Sequence, residues 1–80
     1  MYYVYLLRSI KNPEKTYIGY TTDLNGRLEK HNSGGSIYTS TDRPWKITSY
    51  HCFENESKAL DFEKYIKTGS GHAFAKKRLW

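Results

Sequence analysis

The pattern of apolar and polar positions predicts three β-strands, of which the first is nearly all apolar and the third alternates. Residues 2–9, YYVYLLRS, are aromatic and β-branched, and residues 16–20, TYIGY, follow the turn-forming stretch KNPEK. The two segments therefore predict an antiparallel hairpin. A third strand is predicted over 45–53, WKITSYHCF. Because side chains alternate across a strand, Tyr17 and Gly19 are expected on the same face of the sheet.

Helical periodicity and capping residues predict three helices in the rest of the chain. TTDLNGRLEKHNSGG predicts a first helix capped by Thr22 or Asp23. ENESKALDFEKYIKTG predicts the strongest helix, which begins near Asn55 or Ser57 and ends at Gly69. GHAFAKKRLW predicts a short basic helix. The polar stretch SGGSIYTSTDRP predicts a loop before the third strand.

Composition adds a basic charge and an excess of tyrosine to this pattern. The 80 residues are expected to form one domain, 1–80, with eight tyrosines, three phenylalanines and a net charge of +5. A basic excess suits a polyanionic partner such as nucleic acid. The one cysteine, Cys52, excludes an internal disulfide and fits a cytoplasmic location. No apolar run approaches the ~20 residues of a membrane helix, so we expect no membrane contact.

Three ionisable side chains interrupt the apolar faces of the predicted helices. Arg27 and His31 lie one turn apart on the apolar face of the first helix. Glu63 lies inside the apolar arc of the second, between Ala59 and Leu60. Because an unpaired buried carboxylate is costly, Glu63 needs a cation, a metal ion or water.

Two interpretations of Glu63 stay open from the residues alone. A salt bridge to Arg27 or Lys67 would neutralise it. Alternatively, Glu63 holds Mg²⁺ through a hard oxygen ligand, Arg27 binds phosphate oxygens, and a tyrosine or histidine helps to deprotonate water. Together these groups would form a metal-assisted phosphodiester hydrolysis site.

Four short motifs, in this order and spacing, resemble the GIY-YIG nuclease superfamily. They are YVY at 3–5, YIG at 17–19, GRLEKHN at 26–32 and KALDFEKYIK at 58–67, and the resemblance covers essentially the whole chain. The stretch YT…RPW at 38–45 resembles the small stand-alone members of the superfamily, which are similar to the N-terminal domain of the excinuclease UvrC.

The resemblance implies a fold, an activity and a set of site residues. The fold would be the GIY-YIG α/β sandwich of the α+β class, a three-stranded antiparallel sheet flanked by three helices. The activity would be that of a DNA endonuclease in repair or processing, with Mg²⁺ or Mn²⁺ as cofactor. By position, Tyr5 matches the GIY tyrosine, Tyr17 the YIG tyrosine and Arg27 the helix arginine. His31 matches an active-site histidine or tyrosine, and Glu63 the metal-binding glutamate.

DNA is the expected partner, and contacts to it are assigned to basic side chains. These are Lys46, Lys64, Lys67, Lys76, Lys77 and Arg78. Specific interfaces bury roughly 1,000–2,500 Å² of protein surface, so a chain of this size is expected to bind DNA structure-selectively or non-specifically. We expect a monomer, and a protein partner is left open. The alternative function is a nucleic-acid-binding module of the same fold without robust cleavage; a pure interaction domain is a third.

The glycine in TYIGY is the remaining anomaly, because glycine weakens a strand and marks a close approach of another group. We expect Tyr17 to face the site. Gly19, on the same face, is expected to leave room for the scissile phosphate and for the helix that carries Arg27. Tyr20 is expected to pack on the opposite face.

Overall fold

The computed structural model describes all 80 residues. They form one three-stranded sheet with helices on both faces. The elements are β1 (Tyr2–Ser9), β2 (Thr16–Thr21), α1 (Leu24–Asn32), a 3₁₀ turn (Ser40–Asp42), β3 (Trp45–Phe53), α2 (Glu56–Ile66) and α3 (Gly69–Arg78). β1 is the central strand and pairs antiparallel with both β2 and β3. The predicted α+β fold, with three antiparallel strands and three helices, is confirmed.

Side-chain caps fix where each helix begins. Asp23, Asn55 and Thr68 each accept a hydrogen bond from the backbone N–H three residues further on. Asp23 and Asn55 were among the predicted caps. The third helix begins at Gly69, slightly earlier than the sequence predicts, because Thr68 supplies its cap. None of the helices has the length and apolar composition needed to span a membrane.

The sheet has an apolar core on each face. The core beneath α2 and α3 is purely aliphatic at its centre and consists of Val4, Leu6, Ile18, Ala59, Ile66 and Ala75. The core beneath α1 is smaller and contains aromatic rings, namely Tyr5, Leu7 and Trp45 with Tyr17, Leu24, Leu28 and Ile47 around them. The face beneath α1 therefore combines burial with hydroxyl groups that need hydrogen-bond partners.

Helix α2 turns a narrower apolar stripe towards the sheet than the sequence predicts. Ala59 and Ile66 are fully buried, and Phe62 packs beside them. Leu60 is 42% exposed, so its predicted place in the buried arc is wrong. Glu63 lies one turn from both Ala59 and Ile66, and its side chain is only 20% exposed. The expected inward position of this carboxylate is thus observed.

Candidate active site

Gly19 makes room for the ring of Tyr5. The two residues are directly opposite each other in the β1–β2 ladder. A Cβ atom at Gly19 would lie 2.8 Å from Tyr5 Cε1 and closer still to Cζ and the hydroxyl oxygen. The expectation that Gly19 leaves room for a phosphate and for the Arg27 helix is therefore wrong. The absent side chain lets the phenol cross the neighbouring strand.

The Tyr5 hydroxyl begins a buried hydrogen-bond chain. Its oxygen lies 2.9 Å from His31 Nε2, and His31 Nδ1 lies 2.7 Å from Thr39 Oγ1. All three residues are 1% exposed. The indole N–H of Trp45 donates to the Thr39 carbonyl over 2.8 Å, which fixes Thr39 in place. Sequence reasoning missed Thr39, because no periodicity shows where residue 39 of an irregular loop will lie.

The Tyr5 hydroxyl, the neutral imidazole of His31 and the Thr39 hydroxyl can pair in two ways, depending on which ring nitrogen carries the proton. Burial, reinforced by Tyr17, raises the pKa of Tyr5 to about 12, although Arg27 opposes the shift. The phenol is therefore protonated near neutral pH, and in one of the two arrangements it donates to His31 Nε2. A neutral imidazole that accepts at Nε2 carries its proton at Nδ1, and that N–H donates to Thr39.

His31 is held in its neutral form by its surroundings. Burial is the main cause of its lowered pKa, and the positive charges of Arg27 and Lys30 add to the shift. Tyr17 packs its ring edge-on against the imidazole with a centroid distance of 5.0 Å, and its centroid is 6.4 Å from that of Tyr5. Tyr17 is half-buried, so it forms the more open side of this three-ring cluster.

Arg27 and Glu63, on different helices, both influence the pKa of Tyr5. Arg27 is exposed on α1, and its guanidinium lowers the Tyr5 pKa, whereas the Glu63 carboxylate on α2 makes a small contribution that raises it. Glu63 also contributes to the raised pKa of Tyr20, whose main cause is a hydrogen bond to Glu56. Helix α2, which carries Glu63, packs on the Val4 and Leu6 face of the sheet, whereas Tyr5 and Tyr17 belong to the core on the α1 face.

Glu63 forms the salt bridge that was one of its two predicted interpretations. Its Oε2 lies 3.1 Å from Lys67 Nζ, and the Lys67 side chain is 52% exposed. No group of three or more His, Cys, Asp or Glu side chains gathers to hold a metal. Mg²⁺ commonly binds one or two carboxylates and completes its shell with water and substrate phosphate. A single partly exposed carboxylate whose only partner is a surface lysine fits such a shared site.

Two of the basic residues assigned to DNA binding, Lys46 and Lys76, lie on the α3 face of the sheet, away from the Tyr5 cluster. Lys46 pairs with Arg8, whose side chain points to the α3 face of the sheet. Lys76 lines a cleft on that face together with Arg8, His72 and Trp80. Lys64, Lys77 and Arg78 are exposed, and Lys67 is paired with Glu63. The structure therefore does not bring Lys46 and Lys76 next to Tyr5.

Comparisons with known proteins identify similar chains. The family model described as the GIY-YIG catalytic domain matches residues 1–77. A UPF0213 protein of Haloquadratum walsbyi is 38% identical over 68 residues, which cover 84% of this chain and 74% of that protein. The structure-specific endonuclease subunit SLX1 of Candida dubliniensis is 38% identical over 85 residues, 98% of this chain but only 28% of that protein.

A solved structure extends the comparison to the fold. The solution NMR structure of the UPF0213 protein BH0048 from Bacillus halodurans superposes with a TM-score of 0.56 at 28% sequence identity. The match covers 99% of this chain and 87% of that one.

Proposed function

This chain belongs to the GIY-YIG family, and from that premise we propose that it is a divalent-metal-dependent DNA endonuclease acting in DNA repair or processing. The buried hydrogen-bond chain from Tyr5 through His31 to Thr39 carries the proposal, and the charges of Arg27 and Glu63 both act on the Tyr5 hydroxyl. The descriptions of residues 1–80 as one domain, as a monomer and as cytoplasmic remain predictions.

Tyr5 acts in this proposal as a proton relay. Forming free phenolate at pH 7 from a phenol with a pKa of about 12 would cost on the order of 7 kcal/mol. A concerted transfer avoids that cost. As the water oxygen bonds to phosphorus, its proton passes to Tyr5, the Tyr5 proton passes to His31 Nε2, and the P–O bond to the leaving oxygen breaks.

His31 and Thr39 support this relay from inside the protein. The lowered His31 pKa keeps the imidazole neutral and able to accept the proton. Thr39 accepts from Nδ1–H and so holds the ring with Nε2 towards Tyr5. Once protonated, His31 donates from both nitrogens, and both hydroxyl oxygens can accept.

The outer groups bind the phosphate. Arg27 is exposed and its positive charge acts on the Tyr5 hydroxyl, so it would bind the phosphate oxygens and stabilise the charge that develops on them. Tyr17, on the open side of the cluster, would orient the water or the phosphate.

Glu63 is the residue that would hold Mg²⁺ or Mn²⁺. An exposed ion pair is worth at most about 1 kcal/mol, so the interaction with Lys67 does not prevent metal binding. A bound divalent ion would supply Lewis-acid stabilisation of the phosphate and of the leaving oxygen. If a metal ion displaced Lys67 from Glu63, the lysine would remain beside the DNA backbone.

The second candidate is the nucleic-acid-binding module without robust cleavage. The observation in its favour is that Glu63 stands alone as a carboxylate ligand and is paired with a lysine. In this case Lys46, Lys64, Lys67, Lys76, Lys77 and Arg78 would still bind the backbone, with the steep salt dependence expected of phosphate contacts.

A cleavage assay separates the two candidates. Plasmid and branched DNA are incubated with Mg²⁺ or Mn²⁺ and either the wild-type protein or the Glu63→Gln variant, which keeps the side-chain shape but removes the charge. The endonuclease proposal expects wild-type cleavage that disappears in the variant while DNA binding is retained. Binding without cleavage in every metal would favour the binding module.

A further inference from the structure

The loop between α1 and β3 presents two neighbouring apolar side chains to solvent. Ile37 is 88% exposed and Tyr38 is 85% exposed, the highest values among the large apolar residues that the protein exposes. Isolated surface apolar residues are common, but two in sequence at the tip of a polar loop contribute nothing to the core. The loop itself is ordered by turns, with Thr39 N–H donating to the Ser36 carbonyl and Ser40 Oγ to the Ile37 carbonyl.

This loop tip is tied directly to the active-site cluster. Thr39 follows Tyr38 in the chain and carries the hydroxyl that contacts His31 Nδ1 at 2.7 Å. The Thr39 carbonyl is held by Trp45, a residue of the same apolar core as Tyr5. A ligand that contacts Tyr38 would therefore lie one residue from the proton relay.

Positively charged side chains contact the loop near both of its ends. The Arg43 guanidinium packs against Gly34, the Lys30 side chain packs against Gly35, and Lys11 Nζ lies 3.4 Å from the Thr41 carbonyl. The one acidic residue within the loop is Asp42. A loop that carries cations near its ends and exposes an aromatic–aliphatic pair is complementary to a nucleic acid, whose phosphates and base faces present the matching groups.

We propose that Ile37 and Tyr38 contact an unstacked base of the DNA substrate and thereby make the protein selective for branched or partly single-stranded DNA. Tyr38 stacks on the base face, and Ile37 fills the gap at the opened base step. In an intact duplex the base faces are already stacked on each other, so the same contact requires a step to be opened. This inference rests on the proposed function and names the feature of the substrate that the site selects.

Binding measured without cleavage tests the inference. Fluorescence anisotropy in EDTA compares a fluorescein-labelled fork, which has a single-stranded arm, with a fully paired duplex that contains the same sequence. The proteins are the wild type, the Ile37→Ala/Tyr38→Ala double variant, Tyr38→Phe, and Tyr65→Ala as a control. Tyr65 is a partly exposed tyrosine on α2, away from the loop.

The double variant should lose roughly 5- to 150-fold in affinity for the fork, the loss expected for removing one base stack. Its affinity for the duplex should not change. Tyr38→Phe, which keeps the ring, and Tyr65→Ala should bind like the wild type. Because both loop side chains are exposed, thermal unfolding should be the same for all four proteins.

The outcomes distinguish failure of this inference from failure of the endonuclease proposal. Unchanged fork binding by the double variant, or an equal loss on fork and duplex, would overturn the inference even if the wild type cleaves DNA with Mg²⁺. A selective loss on the fork by a protein that never cleaves would support the inference and refute the endonuclease proposal. A wild type that binds neither DNA would overturn both.

Discussion

Adding a single methyl group at Gly19, in strand β2, should displace the Tyr5 ring and so impair the candidate active site. The Gly19→Ala variant adds a carbon 2.8 Å from Tyr5 Cε1 and closer still to Cζ and the hydroxyl. Because carbon atoms prefer separations of about 3.5–4.0 Å, the Tyr5 ring must move by about 1 Å. The ring is 1% exposed and cannot move without disturbing its 2.9 Å hydrogen bond to His31.

The structure gives the size of the expected effects. Overpacking a core costs about 1–3 kcal/mol, and leaving the Tyr5 and His31 polar atoms unpaired costs about 1–3 kcal/mol more. The gain from a less flexible unfolded chain, about 0.4–1 kcal/mol, offsets a minor part. We expect the free energy of unfolding to fall by about 1–5 kcal/mol. Cleavage should fall about 100-fold, as expected for a catalytic group misplaced by about 1 Å.

Urea unfolding and DNA cleavage check both effects in a double-mutant cycle with Tyr5→Leu. Without the ring, the added methyl group should cost little, which gives a coupling energy of about 1–3 kcal/mol. Gly69→Ala is the matched control, because a Cβ there has no neighbour within 4 Å, and it should leave stability and cleavage unchanged. If Gly19→Ala is equally destabilising with and without the Tyr5 ring, or cleaves at the wild-type rate, the steric account is refuted.

Three further predictions concern Thr39, His31 and His51. Thr39→Val keeps the side-chain volume but removes the hydroxyl that contacts His31 Nδ1, so the cleavage rate should fall and the acid limb of its pH profile should shift. Thr39→Ser should restore both the rate and the profile. An unchanged profile in Thr39→Val would show that Thr39 only packs. Because the His31 pKa lies below its ordinary value of 6.5, wild-type activity should persist below pH 6.5, and an acid limb above that pH would contradict the assignment. Burial also lowers the pKa of His51, whose Nε2 has no hydrogen-bond partner. At pH values between the pKa of His51 in the folded protein and its ordinary value of 6.5, the unfolded chain binds more protons than the folded protein. The free energy of unfolding should therefore fall as the pH falls through this range, by at most about 1.4 kcal/mol per pH unit for His51. Urea titrations of His51→Phe should lose that part of the slope; an unaltered slope would mean that His51 is not the cause.

Elements set by local signals could be predicted from the sequence. The strand over 45–53 and the caps Asp23 and Asn55 follow from alternation and from side chains that bond to nearby backbone. The anomalous position of Glu63 on its helix was also visible, because it depends only on helical periodicity. Which partner Glu63 takes was not decided by the sequence, since two cations were within plausible reach.

Features that depend on long-range contacts could not be predicted. The role of Gly19 depends on its register with Tyr5, which sequence alternation alone does not fix. The contact of Thr39 with His31 depends on the path of an irregular loop held by the Trp45 indole. The position of Lys46 on the α3 face likewise depends on strand pairing, so a list of basic residues could not show which face binds DNA.

The rate of DNA cleavage by Tyr5→Phe tests the central claim most directly. This variant removes only the hydroxyl that links the site to His31, so single-turnover cleavage of branched DNA with Mg²⁺ should fall by about 10²–10⁴-fold. DNA affinity and the folded structure should be retained, because the ring still fills the space over Gly19. Cleavage by Tyr5→Phe at the wild-type rate would contradict the proposal that the Tyr5–His31 hydrogen bond is the proton path.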